Sequence, residues 1–528
     1  MTQATAHLHD ILQVMAWLRQ HAQPAARLCS DSRSVQAGDV FLAWPGRRHD
    51  AREDVAAAFA AGASAALVQA QPGQWQPQPA VPAHAVASYA NLYRDSGAIA
   101  SAWLGHPSAA LDVVAVTGTN GKTTLAWWLS HALTAAARPC GYVGTLGAGM
   151  HGQLQDTGLT SPQALQLQQT LAQLRDAGAV ACAVEASSIG LQEGRLGGCQ
   201  VRVAILTNLS QDHLDYHGTM AAYADAKAAL FDWPDLQAAV LNADDALGQR
   251  LIARLAPCAD AGLQLWDYAV CDAAPQPLAR LVAGTLRFDA THTHCEIAEY
   301  AVPQPAADAQ PVARVPLQAP VTGRFNVHNL LGLLGALRAL GMPLQQAVAL
   351  CRELPAVPGR MQMHALADCP LVVVDYAHTP DALRAALAAL RPVAAQRGGR
   401  LHVVFGCGGD RDASKRPLMA MAAAQQADVL WITSDNPRSE QPASIVAQME
   451  TGLTPAQRAV ANTVLDRRQA IAQAIAAAAA TDVVLVAGKG HETYQEVKGV
   501  KQPFSDNEEV ASALALRQAQ PRAAEVSA

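Results

Sequence analysis

The sequence predicts an α/β protein of three domains, with a central phosphate-loop domain on a parallel sheet and a doubly wound C-terminal domain. Three observations carry that prediction. Residues 113–124, VVAVTGTNGKTT, run from an apolar stretch through a glycine turn into a helical pattern. Between residues 372 and 492 a buried-strand pattern followed by a polar or glycine-rich loop occurs four times. A chain of 528 residues exceeds one core and suggests roughly three domains of ~150 residues each. The boundaries are expected at 1–107, 108–356 and 357–528.

Composition narrows the function classes. The chain is 51% hydrophobic and 16% charged, with a formal net charge of −6. No basic field invites nucleic acid. Ten cysteines are scattered without a C-x-x-C pair, which argues against a zinc site or a disulfide framework. The N-terminus MTQATAHLHDILQVM lacks the basic start and long apolar run of a signal peptide. No run of ~20 apolar residues predicts a membrane span. The expectation is a reduced, cytoplasmic chain, and nothing in it argues for an oligomer.

Taken in order, residues 31–41 (DSRSVQAGDVF) read as a turn feeding a strand over Val40–Ala43. A helical run through Val55, Ala58 and Phe59 stops at Gly62, and Ala65–Val68 is the next strand. The segment QAQPGQWQPQPAVP is a surface loop. A helix is expected from about Tyr89 to Leu104, ending at Gly105-His106-Pro107, a natural boundary.

The central segment opens on the phosphate loop. A strand, a glycine turn and a helix N-terminus aim several backbone N–H groups at one point, where a polyphosphate fits. Gly118, Thr119, Asn120 and Gly121 form the turn, and Thr124 continues the helix. Lys122 would reach the β/γ-phosphates and the Thr123 hydroxyl would ligate Mg²⁺. Val116 departs from the full Walker pattern, which has glycine there. A helix over about 162–177 is followed by a buried strand ending at Glu185. Val203–Asn208 is a third strand, leading into His213. Parallel strands end on one edge, where ligands bind, so Glu185 and His213 are expected to face the region of Lys122. Glu185 would complete Mg²⁺ coordination, or serve as a capping carboxylate. His213 is a ligand or a hydrogen-bonded structural histidine. Residues 270–320 read as an irregular, β-rich excursion without assignable chemistry. GRFNVHN at 323–329 opens a helix, where Asn326 and His328 either read a base or cap the helix.

From about residue 357 the pattern restarts. Val372–Asp375, His402–Phe405, Val429–Thr433 and Val483–Ala487 each precede a polar loop, which is the layout of a doubly wound sheet with a ligand cleft.

The chain resembles the Mur ligases, ATP-dependent amide-bond-forming enzymes of peptidoglycan precursor synthesis. The motifs are TGTNGKTT (117–124), VEASS (184–188), NLSQDHLDYHG (208–218), GRFNVHN (323–329), PGRM (358–361), DYAHTPD (375–381) and GCGGDRD (406–412). Within the family, DSRSVQAGDVF, DNPR (435–438) and GKGHE (488–492) are similar to the branch that adds meso-2,6-diaminopimelate to UDP-N-acetylmuramoyl-L-alanyl-D-glutamate. The resemblance implies attack of the dipeptide carboxylate on the γ-phosphate of ATP, giving an acyl phosphate. The incoming amine then displaces phosphate. Such chemistry needs mainly positioning and charge neutralisation by Mg²⁺ and a phosphate loop.

By the same resemblance Lys122, Glu185, His213 and Lys227 are catalytic, with Lys227 carbamylated and ligating metal beside Glu185 and His213. Asn326, His328, Arg360 and Asp375 join the phosphate loop in holding ATP. The UDP-substrate lies near Ser32, with its peptide end at Thr160, Ser161, Ser187, Glu193 and Arg195. Three positions depart from the family pattern. Ile189 and Glu193 replace a common histidine and glutamine, and Arg47 stands near a uridine-contacting histidine of some relatives. In the last domain Arg438 is the bidentate partner for the distal carboxylate of diaminopimelate. Asp435, Asn436, Pro437, Glu492 and the Gly488 carbonyl surround its ammonium end, and Arg411 takes the other carboxylate. Lysine lacks the distal carboxylate, so leaving Arg438 unpaired would discriminate by ~10²–10³-fold. The rivals are a lysine-adding or D-alanyl-D-alanine-adding sibling, a folylpolyglutamate synthetase and, from another class, a nucleotide-switch ATPase.

Overall fold

A computed structural model describes residues 5–519 except 25, 47–48, 260–261, 272–277 and 290–291. Three principal sheets follow one another along the chain, together with one separate two-stranded hairpin. The described chain divides into two compact units. One comprises Met1–Ala115, Arg138–Arg202 and Asp232–Leu236; the other comprises Val116–Ala137, Val203–Phe231 and Gln237–Ala528.

The first unit contains a five-stranded parallel sheet in the order Ala6–Leu8, Val86–Tyr89, Ala65–Val68, Val40–Ala43, Leu28–Cys29. Val40–Ala43 and Ala65–Val68 are fully buried, as continuous apolar runs in parallel sheets are. Helix Ile11–His21 buries Val14, Met15, Trp17 and Leu18, and Asp10 caps it by accepting from the Gln13 N–H. The expected helix from Tyr89 begins later, at Leu92. Val86–Tyr89 is a buried strand instead, since its alternating apolar side chains fill the sheet core. The same unit holds strands Cys140–Gly144, Gly147–Gly149 and Ala181–Glu185, with helix Ala164–Asp176.

The second unit contains parallel strands Val203–Leu206, Ala238–Asn242, Gln264–Val270 and Leu281–Phe288. Thr293–Glu299 and Ala313–Ala319 extend that sheet antiparallel. The β-rich excursion after residue 270 is therefore regular among the described residues, with one bulge between Gly284 and Arg287. Helix Arg324–Ala339 is buried along most of its length.

The last sheet has the order Gln362–His364, Leu371–Asp375, Val483–Ala487, Leu401–Phe405, Val429–Ile432, Asn462–Thr463. Only the first pairing is antiparallel. Helices Pro380–Gln396, Lys415–Gln426 and Pro442–Glu450 pack one face. Helices Arg467–Ala477 and Asp506–Ala519 pack the other, so the sheet is doubly wound. Its polar loops follow the C-terminal strand ends, the binding edge of such sheets. No helix among the described residues is long and apolar enough to cross a membrane.

Candidate active site

The phosphate loop sits where strand Asp112–Thr117 passes into helix Lys122–Ala135. Gly118 has φ +144°, and a Cβ there would lie 1.8 Å from the Thr207 Oγ1. Only glycine fits. The loop is tied down on several sides. Thr119 N–H donates to the Asn208 carbonyl at 2.8 Å and Asn120 N–H to Asn208 Oδ1 at 3.0 Å. Thr207 Oγ1 donates to the Asn120 carbonyl at 2.6 Å. Thr119 Oγ1 meets the Tyr223 hydroxyl at 3.1 Å. Helix Lys122–Ala135 begins after Gly121, which offers no side-chain cap. A fixed concave backbone at a helix N-terminus is a polyphosphate cradle.

Two lysines converge on this loop. Lys122 Nζ donates to the carbonyls of Gly118 and Thr119 at 2.8 and 2.9 Å. Lys227 Nζ donates to the same Gly118 carbonyl at 2.8 Å. Lys227 is 1% exposed and its ammonium lies 4.3 Å from the Tyr223 ring centre. Burial, then the Lys122 charge, push the Lys227 ammonium well below its ordinary pKa, while Asp212 and Asp245 oppose. The amine is therefore biased toward its neutral, nucleophilic form.

His213 precedes helix Leu214–His217 with φ +52°, the left-handed region that costs a non-glycine residue energy. Its Nε2 lies 3.5 Å from Asp212 Oδ2. Burial lowers its pKa, with Lys122 and Lys227 adding to the effect. Asp212 also lies 3.9 Å from His378 Nε2. Burial raises the Asp212 carboxyl, but His378, His213 and Lys415 together hold it below the ordinary value.

Arg360 reaches the loop from the PGRM motif, donating through Nη2 to Thr123 Oγ1 at 3.2 Å. Its guanidinium lies 4.3 Å from the Tyr376 ring centre. Asp375 accepts from the N–H groups of Met361 and Ala377, each at 2.8 Å. Burial raises its pKa. Asn326 and His328 are engaged within the protein. Asn326 Nδ2 donates to the Thr322 carbonyl, and its Oδ1 accepts from Asn329. The His328 ring nitrogens contact the Arg324 carbonyl and Asp244. Neither side chain caps the helix, whose N-cap is Gly323.

At the C-terminal strand ends, DNPR and GKGHE interlock. Asn436 Nδ2 donates to Glu492 Oε2 at 2.8 Å, and Lys489 Nζ donates to Asn436 Oδ1 and Glu492 Oε2 at 3.0 and 2.7 Å. Asp435 is buried, and a Cβ on Gly488 would lie 2.6 Å from its Oδ2. Burial opposes its ionisation, but Lys489 and Arg467 hold its carboxyl below the ordinary range. Arg438 has φ +52°. Its Nη1 donates to the Gly409 carbonyl at 2.7 Å, and its Nε lies 3.6 Å from Glu496. The Pro437 carbonyl lies 2.0 Å from where a Cβ on Gly409 would be, so the GCGGDRD loop packs directly on DNPR. Arg411 is exposed at the end of that loop.

In the first unit the expected peptide-end residues form one network. Glu185 is fully buried and accepts from Tyr142 Oη at 2.6 Å and from the Thr145 N–H at 2.8 Å. Ser187 caps the helix that follows, Ser188–Gln192. Thr145 Oγ1 donates to Thr160 Oγ1. Ser161 Oγ contacts the Glu185 carbonyl and Ser187 Oγ at 2.8 and 3.0 Å. Arg195 donates to the Ser161 carbonyl and grips Glu193 Oε2 through Nε and Nη2. Glu193 is thus the internal partner of Arg195, while Ile189 lies within helix Ser188–Gln192. Ser32 Oγ donates to Asp54 Oδ2 at 3.1 Å, and His49 Nε2 meets the same oxygen at 2.8 Å. Arg47 lies outside the described residues.

Sequence reasoning missed Asn208, Tyr223, Asp54, Tyr142 and Lys489. Asn208 and Lys489 stand inside motifs already singled out. Tyr142 and Tyr223 act through contacts distant in sequence, and Asp54 is one acid among several in its segment.

A phosphate loop on a parallel sheet, followed by a doubly wound sheet whose loops interlock, defines a nucleotide-dependent α/β enzyme class. Residues 116–337 match the Mur ligase middle domain, and 359–490 match the Mur ligase glutamate ligase domain. The chain is 49% identical over 520 residues to the UDP-N-acetylmuramoyl-L-alanyl-D-glutamate--2,6-diaminopimelate ligase of Acidovorax sp. (strain JS42), covering 97% of this chain and 98% of that protein. The protein of the same name from Pseudomonas aeruginosa is 45% identical, with 92% and 94% covered. A solved structure of a UDP-N-acetylmuramoyl-L-alanyl-D-glutamate--2,6-diaminopimelate ligase superposes with a TM-score of 0.63 at 36% identity, covering 94% of this chain and 95% of that one. The chain belongs to the Mur ligase family.

Proposed function

We propose that this chain is an ATP-dependent amide-bond ligase that joins meso-2,6-diaminopimelate to UDP-N-acetylmuramoyl-L-alanyl-D-glutamate in cytoplasmic peptidoglycan precursor synthesis. The near full-length relatives carry that name. The observation on this molecule that carries the reading is Lys227, a buried amine held on the Gly118 carbonyl of the phosphate loop. A nucleotide switch has no use for such a residue.

In this reading the loop from Gly118 to Thr124 holds the ATP phosphates, with Lys122 swinging from its backbone carbonyls to the β/γ-oxygens. The dipeptide carboxylate attacks the γ-phosphorus, forming an acyl phosphate and releasing ADP. The amine of diaminopimelate adds to the acyl carbon, and the tetrahedral adduct expels phosphate. The neutral Lys227 amine adds CO₂ and loses a proton, becoming an N-carboxylate. Among the described residues no three His, Cys, Asp or Glu side chains are grouped to hold a metal by themselves. Mg²⁺ keeps waters and takes phosphate oxygens with few protein ligands, and the Thr123 hydroxyl in the first turn of the phosphate-loop helix is an oxygen donor of that kind. Thr123, His213 and the Lys227 carbamate are its proposed ligands, and it would neutralise charge on the transferring phosphoryl group.

The working division is 1–107 for the UDP-substrate, with Ser32; 108–356 for ATP; and 357–528 for the amino acid. Thr160, Ser161, Ser187 and Arg195 would meet the peptide end, with Glu193 orienting Arg195. Arg438 would receive the distal carboxylate of diaminopimelate, Gly488 and Asp435 its ammonium, and Arg411 the other carboxylate. The chain would act as a monomer.

Release of ADP is the test. Turnover requiring both the UDP-dipeptide and diaminopimelate is expected. ADP release from ATP alone, unaffected by either substrate, would favour a nucleotide switch and overturn the reading.

A further inference from the structure

Behind the amino-acid loops lies an ion pair that neither the motifs nor the proposed chemistry uses. Arg467 opens helix Arg467–Ala477, and Asp506 opens helix Asp506–Ala519. Both side chains are 0% exposed. The pair is bidentate: Arg467 Nε and Nη2 donate to Asp506 Oδ1 and Oδ2, each at 2.7 Å. The guanidinium keeps two further contacts. Nη2 donates to the Ala487 carbonyl at 2.9 Å and Nη1 to the Ser434 carbonyl at 3.3 Å.

Those carbonyls are not arbitrary. Ser434 immediately precedes Asp435, the first residue of DNPR, and Ala487 immediately precedes Gly488, the first of GKGHE. The strands ending there, Val429–Ile432 and Val483–Ala487, are not neighbours; Leu401–Phe405 lies between them. No sheet hydrogen bond therefore sets the distance between the two loops at this point. A planar donor fork with a fixed spread can. A Cβ on Gly488 would lie 2.6 Å from Asp435 Oδ2 and 3.8 Å from Arg467 Nη2, so the guanidinium stands just behind the place where the loops meet.

We propose that Arg467, held by Asp506, is a positioning residue for the amino-acid site, fixing the spacing of Asp435–Arg438 against Gly488–Glu492 through the carbonyls of Ser434 and Ala487. The inference rests on the proposed diaminopimelate reading of those loops. Arg467 touches no substrate; its hydrogen bonds go to Asp506, Ser434 and Ala487 and none to the phosphate loop, so it acts on binding of the amino acid.

A buried cation left without its anion is strongly destabilising, whereas replacing both by apolar residues of similar volume is often neutral. The decisive variant is therefore the pair Arg467→Met with Asp506→Leu, which removes both charges and the clamp together. Its melting temperature is expected to stay close to that of the wild type. The KM for diaminopimelate should rise about tenfold or more, the cost of losing bound geometry, with the KM for ATP changed less than twofold. Arg467→Lys with Asp506 intact should fall between, since one ammonium cannot span both carbonyls. A folded double variant with an unchanged KM for diaminopimelate would overturn the proposal, as would equal losses for all substrates. Should the double variant not fold, Arg467→Lys decides by the same comparison. If the wild type itself fails to use diaminopimelate, the functional reading falls. The clamp is then judged by amide hydrogen exchange at 434–438 and 488–492, which the double variant must accelerate.

Discussion

At the residue scale, surroundings change what individual side chains can do. Lys227 is enclosed, points at the backbone of the phosphate loop and is pushed toward the neutral amine first by burial and then by Lys122. Such an amine reacts with CO₂ where an exposed ammonium does not. Lys227→Ala is expected to lower turnover by about 10²–10³-fold, the size of losing one preorganised charged group. Short carboxylic acids should restore part of it by supplying the missing oxygens. Full activity in a folded Lys227→Ala protein, measured by ADP release, would remove the role. This lysine was singled out from its motif alone, because nothing in YADAKAAL announces burial. Asp54 illustrates the opposite case. It receives both Ser32 and His49, yet in sequence it is one acid among several in DAREDV.

At the scale of elements, backbone geometry decides. Gly118 combines φ +144° with a would-be Cβ contact of 1.8 Å to Thr207 Oγ1. Gly118→Ala is therefore expected to cost about 1–3 kcal/mol of stability and to weaken ATP binding at least tenfold; urea unfolding and nucleotide titration check both. Unchanged nucleotide affinity would mean that the loop does not cradle phosphate. Buried parallel strands such as Val40–Ala43 and Val483–Ala487 were legible because burial on both faces demands continuous apolar runs. Two-residue strands such as Leu28–Cys29 and Asn462–Thr463 were not, since so short a stretch carries no period. The helix expected from about Tyr89 starts only at Leu92, because Tyr89 is the last residue of a buried strand. The hairpin Tyr494–Val497 with Val500–Pro503 also escaped notice, although Arg438 and Glu496 exchange backbone and side-chain contacts across it.

Across the whole molecule, buried histidines weaken the fold on the acid side. Burial, aided by Arg360 and Lys489, pushes His491 down to about 4 from an ordinary value of 6.5. Burial likewise lowers His131, His213, His217, His378 and His402. Between pH 6.5 and about 4 the unfolded chain binds protons that these native rings refuse, so the rings make stability fall as pH falls through that window, with the raised carboxyls of Asp267, Asp375 and Glu509 opposing. His49 has the opposite sign, because its hydrogen bond to Asp54 raises its pKa. Urea unfolding across the window should show the decline, with a shallower slope in His491→Gln; a stability rising toward pH 4 would contradict it. Substrate choice by Arg438 is open to one comparison. ADP release is measured with UDP-N-acetylmuramoyl-L-alanyl-D-glutamate and ATP, offering meso-diaminopimelate or L-lysine to the wild type and to Arg438→Ala. Turnover with diaminopimelate is expected, with ~10²–10³-fold preference over lysine, and loss of that preference in Arg438→Ala. Equal use of lysine by the wild type, or an undiminished preference without Arg438, would contradict it.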